Sequence, residues 1–375
     1  MKRLDRNDTA LVVVDIQEKL FPRMAEKDRL LRNRGDGSFE DVSGTSNIGR
    51  DAGPALGVVC ADFDSDGWID IYVANDGADN HLWMNGRDGR FKNMACLSGS
   101  ACNNAGVAEA SMGVDAGDFD ADGDEDLFMT HLVNEKNTLY VNDGSGLFSD
   151  LSARMGLDHP SRQYTAFGTA WLDYDNDGWL DLFIANGAVK QVESLALQED
   201  PYPYHQPNQL FRNLGDNQFQ ETTSGDAFTV SEVSRGAAFG DLDNDGDTDI
   251  LLLNNHGRAR LLLNEVGSRR GWIGLRVVDE YGKRDMLGAR VVVHRPGQPA
   301  IWRRVHSDAS YCSANDPRVL VGLGDQTEIT AVEVLWPDGS SEQWTDLPIN
   351  QYSTIRQGTG TSGEANSNHG KTKGQ

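Results

Sequence analysis

The chain has 375 residues, and its 58 acidic against 34 basic residues give a formal net charge of −24 at pH 7. A surface this acidic argues against nucleic acids and anionic membranes as partners, because both carry negative charge. No apolar run reaches the roughly 20 residues of a membrane-spanning helix, so we expect no membrane insertion. The four cysteines lack zinc-site spacing, although Cys96 and Cys102 lie close enough in sequence for a local disulfide.

Residues 1–29 differ from everything that follows. Residues 9–22 resemble the first strand and loop of isochorismatase-like cysteine hydrolases, in which an Asp at the strand end works with a Lys and a nucleophilic Cys. Asp15 matches the first member of that set, but nothing downstream matches the other two. A single strand cannot build the sheet of such an enzyme, so we interpret the segment as a fused fragment. Hydrolysis through Asp15 is the alternative to a chain without catalytic activity.

From residue 30 onward the sequence repeats. The pattern D-[aromatic or Leu]-D-x-D-G-x-x-D occurs four times, with starts 56, 55 and 68 residues apart. A glycine stands five residues before each pattern, an apolar run follows it, and a second apolar run then ends in Asn. These runs predict strands and turns, and a unit of roughly 50 residues holds about four strands, the size of one propeller blade. Residues 30–39 look like the end of a further unit whose loop is missing.

The nine-residue pattern carries the ligands that calcium prefers. Carboxylates at positions 1, 3, 5 and 9 supply oxygen atoms, and the glycine at position 6 permits the sharp turn that brings them together. Position 7 varies between Trp and Asp, which suits a ligand that is the backbone carbonyl. We therefore predict about four Ca²⁺ ions. The predicted ligand residues are Asp62, Asp64, Asp66, Trp68 and Asp70; Asp118, Asp120, Asp122, Asp124 and Asp126; Asp173, Asp175, Asp177, Trp179 and Asp181; and Asp241, Asp243, Asp245, Asp247 and Asp249.

Two other structures share part of this loop pattern. An EF-hand shares the D-x-D-x-D-G start, but it needs a Glu at position 12 and flanking helices. Position 12 is instead apolar in every repeat and lies in a strand-like run, so none of the four loops matches an EF-hand. The residues at position 12 are Val73, Met129, Ile184 and Leu252. The second alternative is an Asp/Gly turn without metal. Four loops with the same crowded carboxylates make it unfavourable, because like charges repel unless they are neutralised.

The repeats resemble the FG-GAP/VCBS family, whose calcium loops lie on β-propellers such as the integrin α-subunit head. Asn186-Gly187 and the run from Gln206 to Asn213 narrow the resemblance to the subgroup that includes cartilage acidic protein and ends in an ASPIC/UnbV domain. Residues 271–358 resemble that domain, with Gly271-Trp-Ile-Gly-Leu-Arg276 among its motifs. The resemblance also implies export to the extracellular space, periplasm or cell surface, although no signal peptide is visible in this chain.

We therefore predict an all-β chain. Residues 30–270 form an incomplete or open β-propeller, residues 271–358 form a small β-sandwich-like domain, and residues 359–375 form a disordered tail. The expected function is a non-catalytic scaffold that binds a protein or a glycan. Residues 187–208 are the candidate contact surface, because this Tyr- and Pro-rich insertion lengthens the third unit. An accessory role in secondary metabolism is a further alternative.

Overall fold

The computed structural model describes residues 10–14, 28–34, 38–222, 225 and 228–362. Strands dominate these residues, which confirms the all-β prediction. The α-helices among them have four or five residues each: α1 Ser43–Ser46, α2 Ala95–Ser98, α3 Asp158–Ser161 and α4 Glu193–Leu197. Short 3₁₀ helices lie at Ile48–Arg50 and Gly267–Arg269. Within the described ranges, no helix has the length and apolar character to cross a membrane.

The described residues between 10 and 262 form consecutive antiparallel sheets. An N-terminal sheet contains β1 Ala10–Val14, β2 Asp28–Asn33 and β3 Phe39–Asp41. We call the next four sheets blades 1 to 4. Blade 1 contains β4 Ala55–Ala61, β5 Asp70–Asn75, β6 His81–Asn85 and β7 Phe91–Asn93. Blade 2 contains β8 Val114–Gly117, β9 Asp126–Met129, β10 Thr138–Asn142 and β11 Phe148–Asp150.

Blades 3 and 4 follow the same order. Blade 3 contains β12 Ala166–Leu172, β13 Asp181–Asn186, β15 Gln209–Asn213 and β16 Phe219–Thr222, with β14 Gln206–Pro207 paired to β17 Ser231–Glu232 beside it. Blade 4 contains β18 Ser234–Gly240, β19 Asp249–Asn254 and β20 Arg260–Leu262. Blade 4 therefore has three strands among the described residues, one fewer than the repeat length predicts.

The apolar core of this region lies between the blades. Tyr72 and Leu82 on one face of blade 1 pack against Leu127 and Tyr140 of blade 2, and all four side chains are buried. Equivalent clusters join blade 2 to blade 3 and blade 3 to blade 4. The N-terminal sheet contributes Leu30 to a cluster on the opposite face of blade 1. Each blade is thus an amphipathic layer that its neighbours cover, as in a propeller.

The first strands of successive blades lie side by side, β4 with β8, β8 with β12, and β12 with β18. The glycine five residues before each Asp pattern makes this approach possible. A Cβ atom at Gly113 would lie 2.0 Å from the Phe167 carbonyl oxygen, and one at Gly57 would lie 2.5 Å from the Met112 carbonyl oxygen. The repeated glycine thus reflects close approach of neighbouring backbones, which only a residue without a side chain permits.

The C-terminal domain consists of two sheets around a separate core. One contains β21 Gly271–Val278, β24 Val319–Gly324 and β27 Tyr352–Arg356; the other contains β22 Arg290–Arg295, β23 Gln298–Arg304, β25 Ala331–Leu335, β26 Ser341–Trp344 and β28 Thr361–Ser362. Buried side chains such as Leu275, Val291 and Val334 fill the space between the sheets. Strand β28 lies within the segment 359–375 that was predicted to be disordered; residues 363–375 lie outside the described residues.

Residues 305–318, between β23 and β24, contact the first strand of every blade. We call them the axial segment. Asp308 accepts a 2.7 Å hydrogen bond from the Cys60 amide of β4, and the Tyr311 ring lies 5.0 Å from the Phe167 ring of β12. Ser310 donates its amide to the Val114 carbonyl of β8 and its hydroxyl to the Ala237 carbonyl of β18. The C-terminal domain thus ties the four blades together.

A buried ion pair strengthens this junction. The Arg304 guanidinium lies 2.9 Å from Glu125, in the acidic loop of blade 2, and 3.1 Å from Asp308. It also donates to the Cys60 carbonyl at 2.8 Å, so three groups from different elements share one buried cation. Breaking such a pair leaves an uncompensated buried charge.

Replacing Gly113 with Ala tests the close approach of β8 and β12. We expect the midpoint of urea unfolding to fall by the equivalent of about 1–3 kcal/mol, because the new methyl group has no room beside a backbone carbonyl. Gly44→Ala is the control, since its Cβ would meet nothing within 4 Å. Equal midpoints for the two variants would contradict the conclusion that Gly113 is required for the close approach of β8 and β12.

Candidate metal centres

Each nine-residue loop joins the first two strands of its blade. Position 1 follows the first strand directly, and position 9 is the first residue of the second strand. The backbone is left-handed at position 4, with φ of 56°, 62°, 53° and 62° at Ser65, Ala121, Asn176 and Asn244. It is also left-handed at the glycine of position 6, with φ between 84° and 103°: Gly67, Gly123, Gly178 and Gly246. Two left-handed residues within three positions produce the tight turn, and glycine adopts this conformation without strain.

Hydrogen bonds from the loop backbone hold the first and fifth carboxylates. Asp62 accepts from the amides of Asp66 at 2.9 Å and Gly67 at 2.8 Å, and Asp66 accepts from the Trp68 amide at 2.8 Å. The other three loops repeat all three bonds. The amide at position 7 is therefore a donor to the loop in every blade, and coordination by the carbonyl of Trp68 or Trp179 stays a prediction.

Three carboxylates converge in each loop. One oxygen from each lies within 4.8 Å of the other two. Blades 1 and 2 bring together positions 1, 3 and 5, whereas blades 3 and 4 bring together positions 1, 3 and 9. The groups are Asp62, Asp64 and Asp66; Asp118, Asp120 and Asp122; Asp173, Asp175 and Asp181; and Asp241, Asp243 and Asp249. Of the predicted ligands at positions 1, 3, 5 and 9, four fall outside these groups: Asp70, Asp126, Asp177 and Asp245.

The carboxylate at position 9 also links the loop to the third strand. Asp70 accepts from the amide of Phe63 at 3.1 Å and from the amide of Asn85 at 2.7 Å. Asp181 and Asp249 accept from the equivalent amides in blades 3 and 4, and Asp126 accepts from the Asn142 amide. Position 9 thus has a structural role that the spacing of ligands did not indicate. Its role as a ligand stays a prediction.

Several buried carboxylate oxygens of these loops have no hydrogen-bond partner among the described residues. They are Asp64 Oδ1, Asp120 Oδ1, Asp124 Oδ1, Asp126 Oδ2, Asp175 Oδ1 and Asp247 Oδ1. An unpaired buried polar atom costs about 1–3 kcal/mol, and more when it is charged. A cation in each loop would remove this cost. The converging groups contain only carboxylate oxygens, which suit a hard cation such as Ca²⁺ better than zinc or copper.

The pKa values show how unfavourable these groups are as isolated anions. Burial raises the pKa of Asp70 to about 8 and that of Asp118 to about 7. Burial, together with the charges of Asp122, Asp118 and Asp120, raises the pKa of Asp124 to about 8. Desolvation and mutual repulsion both disfavour the charged carboxylate, and a bound divalent cation reverses both effects.

Arginine side chains divide the loops into two kinds. In blade 1, Arg87 lies on Asp66, with its Nε 2.8 Å from Asp66 Oδ2. In blade 3, Arg212 lies 2.8 Å from Asp175 and 2.9 Å from Asp177. These two loops have Trp at position 7. The loops of blades 2 and 4 have Asp124 and Asp247 there, and among the contacts of the described residues no arginine reaches their Asp carboxylates.

A hydrogen bond between neighbouring blades was not predicted from the sequence. The side-chain amide of Asn142 in blade 2 donates to the carbonyl of Phe63, position 2 of the blade 1 loop, at 2.9 Å. Asn213 donates to Phe119 at 2.8 Å, and Asn264 donates to Tyr174 at 2.7 Å. We call this contact the Asn latch. Its signal was the Asn that ends the second apolar run of each repeat, which the repeat alone did not connect to a neighbouring loop.

The remaining candidates from the sequence are Asp15, the pair Cys96 and Cys102, and the segment that resembles a hydrolase. Asp15 lies outside the described residues, so the hydrolase alternative has no described geometry. Cys96 and Cys102 are both free, and the Cys102 thiol lies 3.1 Å from Asp79 Oδ1. Strand β1, which begins the segment that resembles a hydrolase, pairs with β2 at Leu11 and Leu31.

Successive antiparallel blades, each with an acidic loop at the same corner, define a propeller-like repeat protein. A family model described as an FG-GAP-like repeat matches residues 11–73, 62–129, 118–184 and 195–252. A second model, described as ASPIC and UnbV, matches residues 280–362. The chain therefore belongs to the FG-GAP-like repeat family and carries an ASPIC and UnbV domain. The first matched range begins inside the segment that resembles a hydrolase, whose origin stays a prediction.

Known relatives agree with this assignment. Cartilage acidic protein 1 of Homo sapiens is 27% identical over 321 residues, which cover 82% of this chain and 44% of that protein. The Mus musculus protein is 24% identical over 369 residues, covering 83% of this chain and 56% of that protein. The chain thus spans about half the length of these relatives. Families and relatives together support a repeat scaffold protein.

Solved structures with similar chains were also found. One, from a study of how an Agrocybe aegerita lectin recognises non-reducing terminal N-acetylglucosamine, is 17% identical with a TM-score of 0.37 and covers 70% of this chain and 69% of its own. The Dos1 propeller is 11% identical with a TM-score of 0.33, and the similarity covers 92% of this chain and 83% of that chain.

Proposed function

We propose that the chain is a calcium-binding scaffold whose four acidic loops each hold one Ca²⁺ ion. The observation that carries this proposal is the set of buried carboxylate oxygens without partners, next to groups in which three carboxylates lie within 4.8 Å. The residues that would hold the ion are the three aspartates of each group. When bound, Ca²⁺ supplies the positive charge that lets these crowded groups stay ionised.

The position of the loops determines what calcium would do. Each loop connects the first strand, next to the other blades, with the second strand, and Asp at position 9 ties it to the third. A cation that binds only the folded loops stabilises the folded state by mass action. We therefore assign calcium a structural role, with the chain's own aspartates fixing the corner of each blade.

Calcium dependence also supports an extracellular location. Extracellular modules bind calcium with dissociation constants of about 10⁻⁴–10⁻³ M, a range that suits the calcium outside cells. A net charge of −24 keeps such a protein soluble and attracts cations to its surface.

Removal of calcium should lower thermal stability. We expect the Tm to rise by several degrees between protein in EDTA and protein in excess Ca²⁺, since each site at hundredfold saturation adds about 2.7 kcal/mol. Asp120→Asn should reduce this rise, because it removes one negative charge from the three converging carboxylates of blade 2, while the exposed Asp346→Asn serves as the control. A Tm that is the same in EDTA and in Ca²⁺ would refute the proposal.

The four sites should differ in affinity. Arg87 and Arg212 already neutralise part of the charge in blades 1 and 3, so the loops of blades 2 and 4 should bind Ca²⁺ first. Arg87→Gln should tighten Ca²⁺ binding at the blade 1 site roughly fivefold, because it removes the cation that competes for Asp66. Isothermal titration calorimetry with Ca²⁺ measures the affinity of both classes of sites. Arg90→Gln is the control, since its exposed side chain belongs to the same turn. One uniform class of sites would contradict this ordering.

The insertion at residues 187–208 is our candidate contact surface for a protein or glycan. Its Tyr202 ring lies 4.6 Å from the ring of His256 in blade 4 and 4.9 Å from that of Tyr204. Arg235 anchors the start of the insertion by donating to the carbonyls of Gly187 and Ala188. Aromatic side chains on a loop that a rigid frame holds in place are typical of recognition surfaces.

A glycan array and a protein-interaction screen, run with wild type and Tyr202→Ala, test this surface. We expect the ligands of the wild-type protein to lose about tenfold or more in affinity, as for a central aromatic contact. Tyr281→Ala is the control, because this tyrosine lies on the C-terminal domain and is 55% exposed. Unchanged affinity for every ligand after Tyr202→Ala would remove the insertion from the proposal.

A further inference from the structure

A small cavity lies where blades 2 and 3 meet the C-terminal domain. Its volume is about 60 Å³, which is large enough for a small ion or a few water molecules. Gly117 of β8 and Leu180 of the blade 3 loop line the cavity from the propeller. Three consecutive residues of β23 line it from the C-terminal domain: Trp302, Arg303 and Arg304.

The buried side-chain atoms of this cavity that have no hydrogen-bond partner among the described residues are all donors. They are the indole Nε1 atoms of Trp171 and Trp302 and the Nη2 atom of Arg304. The Arg304 side chain is only 6% exposed. Its Nε donates to Glu125 and its Nη1 donates to Asp308, which leaves Nη2 without an acceptor. An unpaired buried donor is unfavourable, because it has lost its hydrogen bonds to water.

Three carboxylates also line the cavity, and each of them already accepts hydrogen bonds from the protein. Both oxygens of Glu125 accept from Arg304 Nε, at 2.9 and 3.1 Å. Asp115 accepts from the amide of the next residue at 2.7 Å and from the Trp171 amide at 2.8 Å. Asp118 accepts from the amides at positions 5 and 6 of its own loop, at 3.0 and 3.3 Å. The unpaired donors therefore need an acceptor that the described residues do not supply.

Positive charge is concentrated on the C-terminal side of the cavity. Arg290 of β22 lies directly opposite Arg304 of β23, and its guanidinium carbon is 3.9 Å from the centre of the Trp302 ring. Like charges directly opposite each other on neighbouring strands are destabilising, and an anion between them offsets the repulsion. Together with Arg303, three arginines accompany the three carboxylates of the wall, which lowers the cost of placing an anion beside them.

We propose that this cavity binds one small monovalent anion of the size of chloride. An anion accepts hydrogen bonds and donates none, so one ion serves all three donors, whereas a water molecule brings two donors that need acceptors of their own. Trp171 belongs to blade 3, whereas Trp302 and Arg304 belong to the C-terminal domain. The bound anion therefore has a structural role, because it links this domain to the propeller. The site goes beyond the proposed calcium scaffold and does not depend on it.

Thermal unfolding of the full chain in sodium chloride and in sodium gluconate tests the site, at equal ionic strength and with excess calcium acetate in both buffers. Gluconate is too large for the cavity. We expect the Tm to be higher in chloride by about 2 °C or more, because an ion that binds only the folded state stabilises it. Trp302→Phe should abolish this difference, since it keeps an aromatic ring but removes one donor.

Trp336→Phe is the matched control. The indole N–H of Trp336 is also buried without a partner among the described residues, but it lies in the core of the C-terminal domain and does not line the cavity. This variant should therefore keep the wild-type difference between chloride and gluconate, even if its Tm is lower in both salts.

Bromide in place of chloride shows the position of the ion directly. Crystals of the wild-type chain in bromide should give an anomalous peak within hydrogen-bond distance of Arg304 Nη2, and this measurement decides the question even if Trp302→Phe fails to fold. A cavity that holds only water in these crystals would overturn the proposal. Equal wild-type Tm values in chloride and gluconate would overturn it as well, and so would a chloride effect that a folded Trp302→Phe variant retains in full.

Discussion

Buried aspartates at one corner of each blade are the constraint on which the rest of the structure depends. The loop must turn within nine residues, and its first and fifth carboxylates accept its own amides to do so. The ninth carboxylate joins the loop to the third strand. These bonds fix the positions of the strands, but they also bring together negative charges that lose solvation. Folding of the blade and neutralisation of its corner are therefore coupled.

The blades stabilise one another through three kinds of contact that recur at each interface. Apolar faces provide the burial, glycines let first strands approach, and the Asn latch connects one blade to the preceding loop. Such a structure is nearly one-dimensional, because each unit contacts mainly its neighbours.

The C-terminal domain does not follow this pattern of contacts between neighbours only. Its axial segment contacts the first strand of all four blades, and Arg304 joins β23 to the loop of blade 2. Tyr352 of the same domain donates to Asp241 in the loop of blade 4 at 2.8 Å. The domain therefore connects blades that do not touch one another, and it also contributes hydrogen bonds to the acidic loops. A repeat array gains cooperativity from such a cross-connection.

The sequence by itself determined the repeat, the all-β architecture and the residues of the acidic loops, because turn chemistry and strand alternation are local properties. Only the tertiary structure decided which three aspartates of each loop converge, which loops an arginine occupies, and that the recurring Asn and Gly serve the neighbouring blade. Arg212 is near Asp175 only because β15 lies beside β13. Contacts of this kind join residues distant in sequence, and no local pattern encodes them.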